Sequence, residues 1–556
     1  MKTQRSRFVA TRTQLKLSPA PPVGRVAPKF DAVVTTFGLL LVVMLAGCTK
    51  LGPDFVKPDA PVAGDWIESH PRLKREATEL HTWWKVFNDP VLDERIDAAH
   101  GQNLPLQIAG LRIIEARAEL GIAVGQLYPQ AQQARGGLVF ERLSESQVNT
   151  AGADINAWTY DAGFDAVWEL DFWGRFRRGI ESADASFFAS VAYYEDVLVS
   201  LTAEAASAYV AVRTFGERIE LAEQNVEIQR QGLELAEIRF QNGAITELDV
   251  QQARALLNNT RATIPRLKTG LRQAMNALGI LLGQPPGQVS SILDRPGAIP
   301  VAPSEVAVGI PAELLRRRPD VRRAELQAAA QSALVGVAMT DLYPSFTLTG
   351  SIGFAASDGT RTTSSGNSGF DELFDMDSLA VFGGPSFTWN IFNYGRLKNN
   401  VRVQDARSQQ LLVNYQDTVL RAAQEVEDAM VGFLRSQEQV SFLTDSVDAA
   451  DRAVDISLIQ YRDGAVDYQR VLDSQNTLVA QQDLWTETRG DVARNLIAMY
   501  KALGGGWQVH AGKPIVAQHI REEMRSRTDW GGLLDPAALD VPPPEEAGEK
   551  LRRVDW

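Results

Sequence analysis

The sequence predicts a mainly α-helical chain with a membrane β segment, built twice on one plan, with four strands and two very long coiled-coil helices. Three observations carry that prediction. An internal repeat runs through the chain in matched order, one stretch alternates aromatic and acidic side chains at strand period, and proline-free helical patterns far longer than a globular domain follow each strand region.

The repeat fixes the plan. RFQNGAITELDVQQARALL (Arg239 to Leu257) returns as QYRDGAVDYQRVLDSQNTL (Gln460 to Leu478), setting Phe240 over Tyr461, Gly243 over Gly464 and Val250 over Val471. GIAVGQLYP ending at Pro129 is matched by GVAMTDLYP ending at Pro344, FWGRF after Trp168 by NYGRL after Trp389, and NALG at Asn276 to Gly279 by KALG at Lys501 to Gly504. These matches predict two structural repeats, residues 85–300 and 301–506, each reading helix, two strands, long helix, helix.

The strands follow from a period of two. Between Ala157 and Asp171, Trp158, Tyr160, Phe164 and Trp168 fall on one face and Asp161, Asp165 and Glu169 on the other. In the second half Phe346, Leu348, Ile352 and Phe354 oppose Ser345, Thr347, Thr349 and Ser351, and Phe387, Trp389 and Ile391 oppose Ser386, Thr388 and Asn390. Alternation alone also suits a soluble sandwich whose apolar face packs on a core. Strand lengths near ten residues with Trp near the ends favour a membrane barrel, with the aromatic face toward lipid and the acidic face toward a lumen. Four strands cannot close one, since a barrel needs at least about eight and an open edge does not survive in lipid. The barrel is therefore shared between chains; two chains or three satisfy the count.

The helices follow from spacing and from the absence of breakers. From Gly174 to about Gln241 there is no proline, and Leu198, Leu201, Ala205, Ala208, Val212, Phe215 and Ile219 recur at three and four residues, a coiled-coil seam. At 1.5 Å per residue such a helix is roughly 100 Å long. Arg396 to Arg462 repeats it, and Pro265 predicts a kink in the shorter helix that follows the first. Residues 48–84 are rich in Pro and Gly and read as a tether, the Ser, Thr and Gly of Ala356 to Gly369 suit an external hairpin, and 507–556 turn polar and are expected to be disordered.

The amino terminus reads as an export signal over residues 1–47. Lys2, Arg5, Arg7, Arg12, Lys16, Arg25 and Lys29 precede a short apolar run from Phe37 to Ala46, too short to span a bilayer. The run ends in LAGC, Leu45 to Cys48, which resembles the lipobox of bacterial lipoproteins. That resemblance implies lipidation at Cys48, the only cysteine, and with Thr49 next in line it implies passage to the outer membrane. Each buried methylene contributes about 0.8 kcal/mol, so several acyl chains hold a protein where one would not.

Composition narrows the class. A formal net charge of −13 over 556 residues argues against nucleic-acid binding, which needs clustered Lys and Arg. The five histidines lie in the terminal regions, with no HExxH pattern, no nucleophile-base spacing and no phosphate loop around Gly504 to Gly506, so nothing points to an enzyme, a cofactor or a metal.

Four stretches carry a family resemblance: WWKVFNDPVLDERI (Trp83 to Ile96), IEARAELGIAVGQLYP (Ile114 to Pro129), IPAELLRRRPDVRRAE (Ile310 to Glu325) and YKALGGGW (Tyr500 to Trp507). They resemble the lipoprotein, NodT-type branch of the TolC-like outer membrane factors, over nearly the whole mature chain. The arginines before Pro319 and Asp320 also suit a solvated helix start. The resemblance implies a homotrimer with a twelve-stranded barrel in the outer-membrane lipid, continued by an α-helical barrel through the periplasm. It further implies a periplasmic adaptor at the helix tips, an inner-membrane pump of the proton-driven RND type, and export of small molecules. A duct for type I polypeptide secretion and a lipid-anchored coiled-coil scaffold are the competing readings.

The repeat also locates a gate. Asn242-Gly243 and Asp463-Gly464 mark where each long helix must reverse, with Gly permitting the turn. Asp473 lies about 13 Å along the returning helix, where symmetry copies would form an acidic ring. In the resemblance, the VLD segment at Val471 to Asp473 matches one that carries constricting aspartates, with Arg470 in place of a second acid, so an Arg470 to Asp473 network is expected. Asp249 and Tyr461 match positions that latch neighbouring coils; Asp249 also suits a helix N-terminus and Tyr461 simple packing.

Overall fold

The computed structural model describes residues 49–59, 62–68, 70–74, 80–144, 146, 155–288, 297–309, 317–359, 369–510 and 514–535. The signal 1–47, Cys48, most of the external hairpin (360–368) and the end of the tail (536–556) lie outside them.

The duplication is realised to the residue. In the first half, α1 (Pro90–Gln102) leads into α2 (Leu104–Gly125), then strands β2 (Ala131–Arg142) and β3 (Asn156–Leu170), the long α3 (Arg175–Gln241) and its return α4 (Glu247–Leu281). The second half runs α5 (Pro319–Thr340), β5 (Ser345–Ser357), β6 (Leu379–Thr388), α6 (Arg396–Arg462) and α7 (Tyr468–Ala502). Corresponding helices have equal lengths: 22 residues for α2 and α5, 67 for α3 and α6, 35 for α4 and α7. Gly174 and Gly395, at φ +79° and +82°, cap both long helices in the left-handed conformation that the GR pair of each repeat permits. The shorter α4 runs unbroken through Pro265.

The strands form one antiparallel sheet in the order β2, β3, β5, β6, joining the two halves through β3 and β5. Among the described residues its outer strands, β2 and β6, are each paired on one side only. No helix among the described residues is long and apolar enough to cross a membrane.

The main core lies where the short and long helices meet, and there the motifs of the two chain ends pack on each other. Trp83 stacks on Tyr500 with centroids 5.2 Å apart, over Phe187, Tyr209, Phe433 and Leu496. A Cβ on Gly505 would stand 2.9 Å from the Trp83 ring, which is why GGG follows the α7 helix.

Two expectations are corrected. The strand after Phe387 stops at Thr388, so Trp389 and Ile391 lie beyond the sheet. The tail is folded over 514–535: α8 (Gln518–Arg527) buries Met524 with Val516 and Leu534 against Ile114, and Arg521 donates to the Leu534 carbonyl. A few apolar side chains in a polar segment suffice because α2 supplies the other half of that core. The tether is bound along the helices. Trp66 donates to Gly309 O, and Leu73–Lys74 (β1) pair in parallel with Val306–Ala307 (β4). Arg178, almost fully buried, donates to the carbonyls of Leu51 and Gly52.

Arg318 is likewise not a solvated helix-start residue. It is buried, donates bidentately to Asp320 and once to Glu425, and reaches the Ala502 carbonyl at the end of α7 at 2.7 Å. Pro319 and Asp320 still form the first turn of α5. The RRRPD segment therefore ties the start of α5 to α6 and to the end of α7.

Candidate functional site: an amphipathic sheet and a helical tip

The sheet separates its two faces as alternation requires. Cross-strand register sets Phe140 beside Trp158, Leu138 beside Tyr160, Phe164 beside Ile352, and Trp168 beside Leu348 on one face. Asp165 faces Gln133 and Ser351 on the other, and Glu169 faces Thr347. Phe164, Ile352, Val381 and Phe387 are more than half exposed, an apolar patch with no cover among the described residues.

Tryptophans mark the ends of that band. Trp168 and Trp389 donate their indole N–H to Leu127 O and Leu342 O, both at 3.1 Å, equivalent bonds in the two repeats. At the far end Trp158 packs on Phe140, and Tyr160 on Phe370. Ten residues from Trp158 to Trp168 span about 33 Å along the strand. A tilt of about 40° reduces this to about 25 Å, the height of a membrane barrel's apolar band.

The acidic face is less acidic than the β3 sequence implies. Arg135 on β2 sits 3.2 Å from Asp165 and 3.9 Å from Asp161, and donates to Ser351 Oγ. Glu169 lies 3.9 Å from Arg175. Sequence reasoning missed Arg135 because AQQARGG gives strand β2 no apolar alternation at its start.

At the opposite end of the long helices the two turns are copies. Gly243 and Gly464 take φ +72° and +78°, and Ala244 and Ala465 donate back to Arg239 O and Gln460 O. The carboxylate of Asp249 accepts from the Thr246 backbone N–H at 2.9 Å and from its hydroxyl at 2.8 Å, a capping box that starts α4. Tyr461 is buried against Tyr468, its hydroxyl without a hydrogen bond among the described residues, so Asp249 and Tyr461 are not latched within one chain. Burial pushes the Tyr461 phenol above its ordinary range, with Arg239 opposing.

Arg239, which the sequence reading passed over, joins the two tips. Its guanidinium lies 4.4 Å from the Tyr461 ring centroid and donates to Arg462 O at 2.8 Å. Arg470 and Asp473 are exposed, but Asp473 accepts from Gln469 at 2.9 Å and makes no ion pair with Arg470 among the described residues. The Arg470 to Asp473 network is thus absent within one chain.

Above the tip, the contact between α3 and α7 is polar. Tyr468, Gln475, Gln482 and Arg489 recur every seventh residue of α7. Asn225 donates to Gln482, Arg218 holds Asp483 with two bonds, and Glu217 pairs with Arg489. A Cβ on Gly232 would stand 3.0 Å from the Tyr468 hydroxyl, so this seam is close-packed. Gln229 and Gln475 are each only 3% exposed, and neither amide has a partner for its nitrogen or its oxygen among the described residues. Within each hairpin the packing is apolar instead: Ile219, Ala222 and Leu267 join α3 to α4, and Ala450, Val454 and Leu478 join α6 to α7.

Comparison with known proteins agrees with this geometry. The family described as outer membrane efflux protein matches residues 96–284 and 310–505. Nodulation protein T of Rhizobium leguminosarum bv. trifolii is 29% identical over 480 residues, covering 86% of this chain and 98% of that protein. The pyoverdine export outer membrane protein OpmQ of Pseudomonas putida is 30% identical over 452 residues, 81% of this chain and 93% of its own length. The solved outer-membrane channel OprN superposes with a TM-score of 0.76 at 32% identity, covering 83% of this chain and 100% of that one.

Proposed function

This chain belongs to the outer membrane efflux protein family, and from that premise we infer that it is the outer-membrane duct of a tripartite efflux system, passing small molecules delivered by an inner-membrane pump through a periplasmic adaptor. One observation carries the reading: a four-stranded amphipathic sheet with two free edges is continuous with two 67-residue helices. Such edges need neighbouring copies. Three copies would give twelve strands, with helices reaching about 100 Å from the barrel. The pump is assigned to the proton-driven RND type, as the NodT-type resemblance implies.

Lipidation at Cys48 would hold the amino terminus to the outer membrane. Support comes from the LAGC signal and from the chain just beyond it, where Leu51 donates to Trp173 O at the strand base. The gate is assigned to the helix tips. Asp473 and Arg470, exposed on α7, would face their copies across the bore, and Arg239 on Tyr461, with Asp249 shaping the adjoining turn, would hold the two hairpins together.

Planar-bilayer recording of the purified, detergent-solubilised protein tests this. Discrete channel steps from a species that crosslinks as a trimer, with larger steps for Asp249→Ala/Tyr461→Phe or Arg239→Ala, are expected. No conductance would favour a scaffold; steps unaltered by these tip substitutions would remove the gate.

A further inference from the structure

We propose that the α-helical part of the duct holds a binding station for amphipathic organic anions, centred on Arg112, Tyr193 and Arg323. The inference rests on the duct reading above. A groove of about 640 Å³ crosses α2, α3, α5 and α6, within the size range of small-molecule sites. Among the described residues Arg112 and Arg323 are its only charged lining residues, and no carboxylate lines it. Their guanidinium carbons lie 5.3 Å and 4.6 Å from the Tyr193 ring centroid. Stacking against a ring leaves the N–H edges of a guanidinium available to an anion.

The two arginines differ in what else they hold. Arg323 is 3.9 Å from Asp196, which does not line the groove. Arg112 is exposed and makes no ion pair or hydrogen bond among the described residues. Further along the groove the wall turns apolar, with Leu334 and Leu411. A charged head at the arginines and an apolar body along the leucines is the ligand this wall describes.

The groove faces the bore. On α5, Val321, Glu325 and Gly336 take the amino-terminal segment, through Val62, Lys57 and Gly52, whereas Arg323, Gln327 and Leu334 lie on the far side of the helix. On α2, Gly110 and Ile114 lie under the folded tail, and Arg112 points away from it. Chain covering the inner wall would plug a duct, so the covered face is the outer one. The groove also centres on α3 and α5, the middle of the helical layer, and so belongs to one subunit.

The test uses the full-length protein in planar bilayers with 2-naphthalenesulfonate added on the external side, and 2-naphthylmethylammonium as the cation of like shape. The sulfonate should block current reversibly and the ammonium should not. Arg112→Gln should weaken the block about tenfold, the loss expected for one charge-assisted bond, with unit conductance unchanged. Equal block of the parent and Arg112→Gln, or equal block by the cation, overturns the station while leaving the duct intact. An absence of conductance in the parent removes both.

Discussion

Replacing Gln229 and Gln475 together by leucine should tighten the closed state of the duct, because these two amides are the weak point of the seam between hairpins. Each is 3% exposed, and all four of their polar atoms lack partners among the described residues. An unsatisfied buried polar group costs about 1–3 kcal/mol, and an apolar replacement of like shape removes that cost. Two amides in one seam put the gain at roughly 2 kcal/mol per subunit, which at about 1.4 kcal/mol per decade lowers the open-to-closed ratio about thirtyfold for each subunit that opens. The assay is open probability in single-channel records of parent and double variant, with Asn225→Leu as the contrasting control. Asn225 is satisfied by Gln482 at 2.7 Å, so its removal strands a partner and should raise open probability. If the double leucine variant opens more readily than the parent, the amides are satisfied in the assembled duct and the reasoning fails.

Three further outcomes follow from the geometry. Arg318→Met removes the donor that holds Asp320, Glu425 and the Ala502 carbonyl together; Asp320 and Glu425 keep access to water, their side chains 28% and 58% exposed, so the cost is that of lost charge-assisted hydrogen bonds, about 1–3 kcal/mol, and heat-resistant oligomer on a semi-native gel should be lost at a lower temperature, whereas an unshifted gel would contradict the tie. Arg135→Gln frees Asp161 and Asp165, so reversal potentials in a KCl gradient should move toward cation selectivity, and an unshifted reversal potential would place Arg135 off the lumen. Burial, and then Asp320, push the Asp196 carboxyl up, so the folded state prefers it protonated: its cost is full at neutral pH and is relieved as pH falls through the raised value. Asp196→Asn should therefore melt higher than the parent at pH 7 and lose that advantage by about pH 4; an advantage that grows on acidification would reverse the sign.

What the sequence disclosed was whatever repeats along the chain or alternates within a short window. The 67-residue helices, the strand β3 with its aromatic and acidic faces, and the paired Gly turns all carry such local signals. What stayed hidden depends on partners far away in sequence. Arg318 looks like any helix-start arginine until Glu425 and Ala502 meet it, and Arg239 matters only because the second hairpin brings Tyr461 beneath it. The polar seam was hidden for a different reason: Gln475, Gln482 and Arg489 sit at heptad spacing, but heptad patterns are sought in apolar residues. The folded tail was missed because its core is half made of α2.

The free sheet edges determine when the barrel can enter the membrane. β2 has 12 residues and β6 has 10, each paired on one side only among the described residues. About half of each strand's N–H and C=O groups therefore point outward, and in hydrocarbon each unpaired group costs several kcal/mol. The sum is tens of kcal/mol per chain, far beyond the 5–15 kcal/mol that holds a folded protein together. A single chain can keep such edges in water but not in lipid. Copies must therefore join edge to edge before or during insertion, and the exposed apolar band of Phe164, Ile352, Val381 and Phe387 gives the closed ring its reason to enter. Assembly, insertion and the opening of a continuous bore are then consequences of the same edge pairing.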